Sequence, residues 1–364
     1  MHELTRLRAF PIELVEVDDG VLLVRGSTVV QIRGQAAHAA VRLILEACSD
    51  DGLGYAEVID AFPEFAQAAA KTLIDGLIAR RILVVNDHPV HPVNGQESAL
   101  DVFRWEVGLA EGDAAGRLAE KTIAVIGVNY VTRRVCEDLM AWGIEQCVVD
   151  DDRLRNLEFF DGDGNLQAAL WPQSLVQPGD GRNWFERVPA EQLGCVVVGS
   201  EYRAEGLMRD INRFCVEHGL LFMPATLNGS VGFVGPLVIP RETACFECLI
   251  GRENSNIKNP DAESALRSAV LRSRGCAGFH PAMASVLGDF AAMELIKFTA
   301  DAIPWRIGAL FEINMLSPEM TTRRVLKLPR CAVCGMHEKH PGTSALARSL
   351  GVLPESYRET PAHG

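Results

Sequence analysis

The sequence predicts an α/β protein with more than one domain, and three observations support that fold class. The chain has 364 residues, more than twice the roughly 150 residues of an average domain. Hydrophobic residues make up 48% and charged residues 23%, which is ordinary for a globular protein and excludes a disordered or low-complexity chain. From residue 121 onward, apolar strand-like runs alternate with segments of helical periodicity, as in a parallel sheet covered by helices.

Charge and apolar patterning exclude several functional classes. The formal net charge of −13 repels a phosphate backbone and argues against nucleic acid as a partner. No run approaches the roughly 18 uncharged apolar residues of a membrane helix, and the N-terminal MHELTRLRAFPIELVEVDDG lacks the continuous apolar segment of a secretory signal. We therefore expect a cytoplasmic protein without a membrane partner, whose ten cysteines do not form a disulfide framework.

The N-terminal region predicts a small module of three strands followed by helices. Residues 11–33 contain the apolar, β-branched runs IELVEV, VLLVR and TVVQI, which are separated by Asp-Asp-Gly and Gly-Ser turns. After Gly34, AAHAAVRLILEAC takes helical spacing, and FPEFAQAAAKTLIDGLIARRILVV continues as a longer amphipathic helix into a terminal strand. We predict a winged-helix-like βββααα module over residues 1–90.

This module is too acidic for the DNA binding that winged helices commonly perform. Residues 1–90 hold 8 Lys and Arg against 13 Asp and Glu, the wrong sign for a groove binder. The edge of a short sheet can instead accept an extended peptide through main-chain hydrogen bonds, and a dimerisation wing is the alternative. The groove would combine the third strand with the helix near residues 73–78. The candidate peptide-binding residues are Thr28, Val29, Val30, Gln31, Ile32, Leu73 and Leu77.

A second domain is predicted over residues 121–340, after a linker and connecting helix at 91–120 and before a C-terminal tail at 341–364. IAVIG is a buried parallel-type strand, VTRRVCEDLMAWG a helix, and IEQCVVDDD a second strand, which together make a βαβ unit. CVVVGS, LMRDINRFCVEHG and LLFMPATL continue the alternation, and HPAMASVLGDFAAMELIKFT is a long helix near the end. This pattern is typical of a Rossmann-type α/β domain.

Two C-x-x-C pairs, Cys245 with Cys248 and Cys331 with Cys334, predict a metal site. Each turn aims two thiolates at one point, and two such turns complete the tetrahedral sulfur shell that zinc prefers. The 82 residues between the pairs exceed the spacing of a local zinc ribbon, so the site would join two distant segments. Four cysteines leave no open position, so we predict structural zinc, with chance pairing or a redox dithiol as the alternatives.

The segment IAVIGVNYVTRRV places a strand, a loop and a helix where nucleotide-binding folds hold phosphate. Only Gly127 of a G-x-G-x-x-G pattern is present, because Asn129 and Thr132 occupy the second and third glycine positions. The aspartates Asp150–Asp152 follow the next strand and could receive a ribose hydroxyl or Mg²⁺, or be a solvated acidic strand end. The sequence therefore predicts a degenerate phosphate loop.

The order of these features resembles the ThiF-like, ubiquitin-activating-enzyme-like adenylation fold over about residues 121–335. The blocks GPLVIPRETACFECL and LKLPRCAVCG carry that resemblance most specifically. The N-terminal module is similar to the PqqD-like recognition element, which binds leader peptides of ribosomally made natural products (RiPPs), bacteriocins among them. The combination resembles the leader-peptide-binding partner of azoline-forming YcaO cyclodehydratases.

The resemblance implies structural zinc at the four cysteines, leader-peptide contact along Thr28–Ile32, and a homodimer. The chain departs from the activating enzymes at the nucleotide site, where Glu158-Phe159 replaces their Asn-Arg and Glu201 replaces an aspartate. Loss of that arginine removes a clamp on the γ-phosphate. The residues of a nucleotide site, if the chain uses ATP and Mg²⁺, are Gly127, Asn129, Arg133, Asp150, Asp152, Asn156 and Glu201.

Three functions are compatible with this reading, and the sequence assigns no catalytic residue. In the first, which we predict, a non-catalytic scaffold binds the leader and presents the precursor to a YcaO-type enzyme that forms azolines with ATP. In the second, the chain itself adenylates and modifies a bound precursor peptide. In the third, it activates a ubiquitin-like sulfur carrier, which leaves the N-terminal module unexplained.

Overall fold

The structure is a computed structural model, and its contacts divide the chain into two compact units, Met1–Asp113 and Ala114–Gly364. It describes residues 6–49, 52–85, 98–107, 121–181, 184–186, 192–259, 261–262, 265, 278–300, 308–317 and 319–335. The predicted tail and most of the predicted linker lie outside these ranges. Within them, no helix combines the length and apolar character that a membrane crossing requires.

Two three-stranded sheets and four helices form the described part of the first unit. One sheet has the antiparallel order β2-β3-β4, and the other has the order β5-β1-β6. The strands are β1 (Arg6–Ala9), β2 (Glu13–Val17), β3 (Gly20–Arg25), β4 (Thr28–Arg33), β5 (Leu53–Gly54) and β6 (Leu83–Val85). The helices are α1 (Ala37–Ala47), α2 (Tyr55–Asp60), α3 (Gln67–Ala79) and α4 (Ala99–Glu106).

The core of the first unit lies where the apolar faces of α1 and α3 meet β3, and Ile44, Ile74 and Val21 are fully buried there. Helix α4, which the sequence assigned to the linker region, packs on this core through Trp105. The indole Nε1 donates a 2.7 Å hydrogen bond to the Arg81 carbonyl. The three predicted strands are present as β2, β3 and β4, whereas β1 and β5 were not predicted. The winged-helix arrangement stays a prediction.

The second unit is built on an eight-stranded sheet of order β14-β13-β12-β11-β10-β7-β8-β9. Strands β7 to β11 are parallel, and β12, β13 and β14 extend the sheet in antiparallel pairs. The strands are β7 (Thr122–Ile126), β8 (Gln146–Asp150), β9 (Gly179–Asp180), β10 (Leu193–Ser200), β11 (Leu221–Asn228), β12 (Val231–Val234), β13 (Ala309–Asn314) and β14 (Glu319–Arg324). The predicted α/β class with a mostly parallel sheet is confirmed.

Helices cover both faces of this sheet, as the apolar central strands require. They are α5 (Tyr130–Ala141), α6 (Glu205–His218), α7 (Phe246–Asn254) and α8 (Pro281–Ala300). Helices α5 and α8 share one buried cluster with the sheet, and α6 and α7 share the other. Helix α8 approaches α5 closely because Gly288 has no side chain, and a Cβ there would lie 2.5 Å from the Val131 carbonyl oxygen. This packing fixes the start of α5.

Candidate functional site

The candidate site lies at the carboxyl ends of β7, β8 and β10, where the strand order reverses. The chain runs from β7 outward to β8 and then returns to β10 on the other side of β7. Open α/β sheets bind ligands in the crevice at such a switch point. Gly127 turns the chain out of β7 with a positive φ of 118°, which residues with a side chain rarely adopt. A Cβ at Gly127 would also lie 2.9 Å from the Gly199 carbonyl oxygen.

Asn129 and Thr132 fill the loop where the phosphate-binding pattern has glycines. Asn129 caps α5 by accepting a 3.0 Å hydrogen bond from the Thr132 N–H. Its amide nitrogen donates to the carbonyl oxygens of Leu154 at 3.0 Å and Gly199 at 2.9 Å. Both side chains are buried, so the space that glycines leave for a phosphate is occupied by the chain's own polar groups.

Glu201 follows β10 and places its carboxylate at the start of α5. Its Oε1 accepts a 2.8 Å hydrogen bond from the Tyr130 N–H, the first backbone donor of the helix. Its Oε2 accepts a 2.7 Å hydrogen bond from the Asn156 side-chain amide. Burial raises the pKa of Glu201 to about 7, against these two bonds, which lower it. The helix start, which can bind an external anion, thus holds a carboxyl group of the protein itself.

Glu201 predicts a pH dependence of folding stability. Because its pKa rises from the ordinary 4.5 to about 7, the folded chain binds this proton more tightly than the unfolded chain. That stabilisation is complete below about pH 4.5 and is lost as the pH rises through 7, an effect of up to about 3 kcal/mol. We expect urea unfolding of Glu201→Gln to lack this loss between pH 5 and 8.

Exposed Glu217 on α6 provides the control, since Glu217→Gln should keep the pH dependence of the wild type. Comparing each variant with wild type at every pH removes the contributions of other titrating groups. Equal pH slopes for wild type and Glu201→Gln would show that Glu201 does not titrate in this range.

The acidic end of β8 is paired with arginines. Arg155 contacts both oxygens of Asp150, with Nε and one terminal nitrogen each at 2.7 Å. Arg153 holds Asp151 in the same two-point manner at 2.9 and 2.7 Å, and this pair lowers the pKa of Asp151 although burial alone would raise it. Asp152 is exposed. The position predicted to receive a ribose is therefore engaged by the protein's own cation.

Arg133, a predicted nucleotide-site residue, is directed along its own helix. One terminal nitrogen donates a 3.2 Å hydrogen bond to the Leu170 carbonyl, and Nε lies 3.2 Å from a Glu137 carboxylate oxygen. Arg134 donates a 2.7 Å hydrogen bond to Asp289 on α8. Both guanidinium groups are therefore engaged by groups of the protein itself.

The four predicted cysteines meet in the second unit. Their sulfur atoms all lie within 4.8 Å of one another, with Cys248 and Cys334 at 3.4 Å and Cys245 and Cys331 at 3.6 Å. All four are buried, and the Leu328 N–H donates to the sulfur of Cys248 at 3.4 Å. Four converging sulfurs, supported by a backbone donor, could hold a zinc ion. The cluster joins the start of α7 to the turn after β14, and it leaves no position for a substrate.

The predicted peptide-binding residues lie in the first unit. Strand β4 is an edge of its sheet, and the exposure of its side chains alternates, with Val29 58% exposed and Val30 partly buried. On α3, Leu73 is partly buried, but Leu77 is only 1% exposed and belongs to the core. Leu73 therefore stays a predicted peptide contact, whereas the side chain of Leu77 is part of the core.

Sequence reasoning missed three features of the nucleotide-like site. Gly199 lies opposite Thr132, and a Cβ at Gly199 would be 2.5 Å from the Thr132 Cγ2. Gly199 therefore provides the close packing that the third glycine of the pattern usually provides. Arg155 and the Tyr130 N–H were also missed, because each finds its partner through the fold. A glycine near the end of a strand adjoining the loop was the one signal visible in the sequence.

Comparisons place this fold among known structures. No family model and no curated protein matches the chain. The crystal structure of E. coli MccB matches with a TM-score of 0.64 over 92% of this chain and 99% of MccB, at 16% identity. E. coli MccB with ATP gives a TM-score of 0.62 at 15% identity, over 91% of this chain and 99% of that one.

The structure of the heterocyclase TruD matches with a TM-score of 0.61 and 18% identity over 91% of this chain. The chain spans 43% of the heterocyclase, so the likeness covers only part of that protein. At these identities the likeness establishes a shared fold, and the fold of this chain is that of MccB and of the matching part of TruD.

Proposed function

We propose that this chain is a leader-peptide-binding scaffold that presents a ribosomally made precursor peptide to a YcaO-type cyclodehydratase for azoline formation. The observation that carries the proposal is the internal occupation of the nucleotide-like site. Glu201 takes the first N–H of α5, and Arg155 takes both oxygens of Asp150. Chemistry that needs ATP is then supplied by the partner.

Binding of a nucleotide at this site would require breaking hydrogen bonds and an ion pair that the protein already makes with its own groups. A phosphate at the helix start would have to displace the Glu201 carboxyl group, which already accepts the Tyr130 N–H, and would meet its negative charge wherever that group is ionised. A ribose at Asp150 would compete with a two-point ion pair, which is among the stronger hydrogen-bonded arrangements. For a phosphate to contact the backbone of the loop, the Asn129 amide would have to break its hydrogen bonds to two carbonyl oxygens. These three requirements favour a vestigial site.

The edge of β4 supports peptide capture. An antiparallel ladder alternates its hydrogen bonds, and the pairing of β3 with β4 directs the N–H groups of Val29 and Gln31 away from β3. An extended peptide can use such donors, and alternate side chains can reach neighbouring pockets. Tethering raises the concentration of the precursor at the partner's active site, so a scaffold without catalytic residues still accelerates the reaction.

The comparisons are compatible with this role. MccB has been solved with the peptide MccA, and a heterocyclase with substrate and cofactor, so relatives of this fold handle peptides and heterocyclise substrates. The match to part of the heterocyclase supports a body of this fold acting as one part of a larger heterocyclising assembly. Structural zinc, a homodimer and a cytoplasmic location belong to the same proposal.

The test of the scaffold is a pair of proline variants on the two edges of one sheet. Gln31→Pro removes an outward N–H donor of β4. We expect it to weaken binding of a leader peptide about tenfold, which corresponds to the loss of roughly one hydrogen bond between β4 and the peptide. Glu16→Pro, on the opposite edge strand β2, should leave binding unchanged. The probe is a fluorescein-labelled leader peptide of an azoline precursor, and its binding is followed by anisotropy.

Equal effects of the two prolines would place the peptide elsewhere or assign the loss to general destabilisation. Thermal melts of both variants separate these two explanations. No binding of the peptide to the wild type would count against the scaffold itself.

The second candidate is an ATP-dependent enzyme that modifies the peptide itself, and the MccB structure with ATP favours it as a comparison. Calorimetry of Mg-ATP with zinc-replete protein separates the two functions. We expect no heat of binding at millimolar nucleotide, because the helix start and Asp150 are already paired. Binding followed by ATP–pyrophosphate exchange, lost in Asp152→Ala and Glu201→Ala, would establish the enzyme instead.

A further inference from the structure

A cavity of about 230 Å³ lies in the second unit, between strands β11 to β14 and helix α7. It is separate from the Gly127 loop and from the four cysteines. Its lining strands are β11 and the antiparallel extension of the sheet, on the face that α6 and α7 cover, and the start of α6 also contributes to it. The apolar side chains that line it are Ala204, Met208, Phe233, Phe246, Leu249, Ile250 and Leu310.

The charged residues at this cavity form ion pairs with one another. Arg203 lies 2.7 Å from Glu253 and 3.8 Å from Glu205, and Arg323 pairs with Glu312. Three carboxylates face two guanidinium groups, so the net charge of the lining is negative. A phosphate or carboxylate ligand would meet like charge and would have to break an ion pair. The cavity therefore disfavours an anionic ligand, and its apolar side chains favour an uncharged group.

Two polar side chains at the carboxyl end of β11 are available to such a ligand. Thr226 and Asn228 line the cavity, and neither side chain makes a hydrogen bond within the described part of the chain. Thr226 is in register with Ser200, the residue before Glu201, so the cavity opens at the same sheet edge as the nucleotide-like site. Its volume is below the roughly 300–1,000 Å³ of pockets for drug-sized ligands. It suits a group about as large as one or two side chains.

We propose that this cavity is a subsite for one uncharged apolar side chain of a peptide bound in extended form, with Thr226 and Asn228 hydrogen-bonding its main chain. The choice of a peptide as ligand rests on the proposed function. An apolar floor with a few convergent polar groups is the usual composition of a specific pocket. The subsite would select which precursor residue lies next to the sheet edge.

Fluorine NMR of a blocked amino acid tests this subsite directly. The probe is N-acetyl-4-fluorophenylalanine N-methylamide, which carries an aromatic side chain and two peptide groups but no leader sequence. We expect the wild-type full-length protein to broaden and shift its signal. Thr226→Phe and Asn228→Phe should abolish the broadening, because an aromatic side chain at either position occupies the cavity and is tolerated in a strand.

Thr322→Phe is the matched control, since Thr322 lies on β14 with its side chain on the opposite face of the sheet from Arg323. It should broaden the probe signal as the wild type does. N-acetyl-leucine N-methylamide should displace the probe, whereas N-acetyl-aspartate N-methylamide and AMP should not. Amide spectra of the variants confirm that each is folded.

Several outcomes would overturn the subsite. The first is a probe signal that the wild type leaves unchanged, and the second is equal broadening by the wild type and both cavity variants. The third is loss of broadening in Thr322→Phe, and the fourth is displacement of the probe by the aspartate derivative or AMP. The result is independent of leader capture, because the probe contains no leader and the variants lie in the second unit. A failed leader-binding test would thus leave this measurement interpretable, and the reverse also holds.

Discussion

Cys331→Ser is expected to release the metal and to lower the melting temperature of the protein. The wild type should carry about one zinc per chain, and the variant less than about a tenth, because three thiolates and a hydroxyl form a much poorer site. Loss of roughly 3 kcal/mol in a unit of this size corresponds to a fall of about 6–12 °C. Metal content by atomic emission and thermal unfolding by circular dichroism measure the two effects.

The physical reason is the position of the cluster in the core. Cys245 and Cys248 are fully buried and share an apolar cluster with Val325 and Val333. Without metal, several sulfur groups must share a small buried volume, and the turn after β14 loses its connection to α7. Removal of zinc by a chelator from the wild type should therefore reproduce the melting temperature of Cys331→Ser.

Cys147→Ser is the matched control, because Cys147 is half-buried on β8 and lies outside the four-cysteine cluster. It should retain one zinc per chain and melt close to the wild type. A metal content near one in Cys331→Ser, or near zero in the wild type, would contradict a zinc site formed by these four residues.

Gly199→Ala is expected to destabilise the protein by about 1–3 kcal/mol, the usual cost of overpacking a close-packed core. The added Cβ would lie 2.5 Å from the Thr132 Cγ2 and 3.2 Å from the Val131 Cγ1. The first of these distances is too short for any real contact, so the loop or β10 must move. Urea unfolding with an unchanged m-value measures this loss.

A second substitution isolates the responsible contact. Thr132→Ser removes Cγ2 but keeps the hydroxyl, which donates to the Gly127 carbonyl at 3.0 Å. We expect the double variant Gly199→Ala/Thr132→Ser to recover most of the stability that Gly199→Ala loses. Gly206→Ala on α6 is the control, because no heavy atom lies within 4 Å of a Cβ there and no loss is expected. Additive effects of the two substitutions would show that this contact does not limit the packing.

Local patterns predicted the parallel half of the second unit and the four-cysteine cluster. The strands β7, β8, β10 and β11 are largely apolar and were visible in the sequence, whereas β9, which is only Gly179–Asp180, was not. Two C-x-x-C turns need only to meet in order to form a metal site. The antiparallel extension was not predicted, because β14, with sequence EMTTRR, is mostly exposed and alternates little. The periodicity of a sequence reports burial and cannot report an exposed edge strand.

The electrostatic arrangement of the nucleotide-like site could not be predicted, because its pairs are distant in sequence. The Tyr130 N–H and Glu201 are separated by 71 residues, and their contact depends on the adjacency of β7 and β10. The burial of Leu77 was missed for a similar reason, since α3 presents apolar residues to two sides and only packing decides which side is covered. The sequence shows that Asn129 and Thr132 replace two glycines of the phosphate-binding pattern. It does not show that Gly199 leaves the space in which the Thr132 side chain packs.

The contact between Glu201 and the start of α5 also affects the dynamics of the loop. A phosphate loop with unsatisfied backbone donors gains much of its order when a ligand arrives, so its conformational entropy is lost during binding. Here Asn129, Thr132 and Glu201 satisfy the loop within the chain, and that entropy is lost during folding. We therefore expect the loop at this sheet edge to keep one shape whether or not a ligand is present.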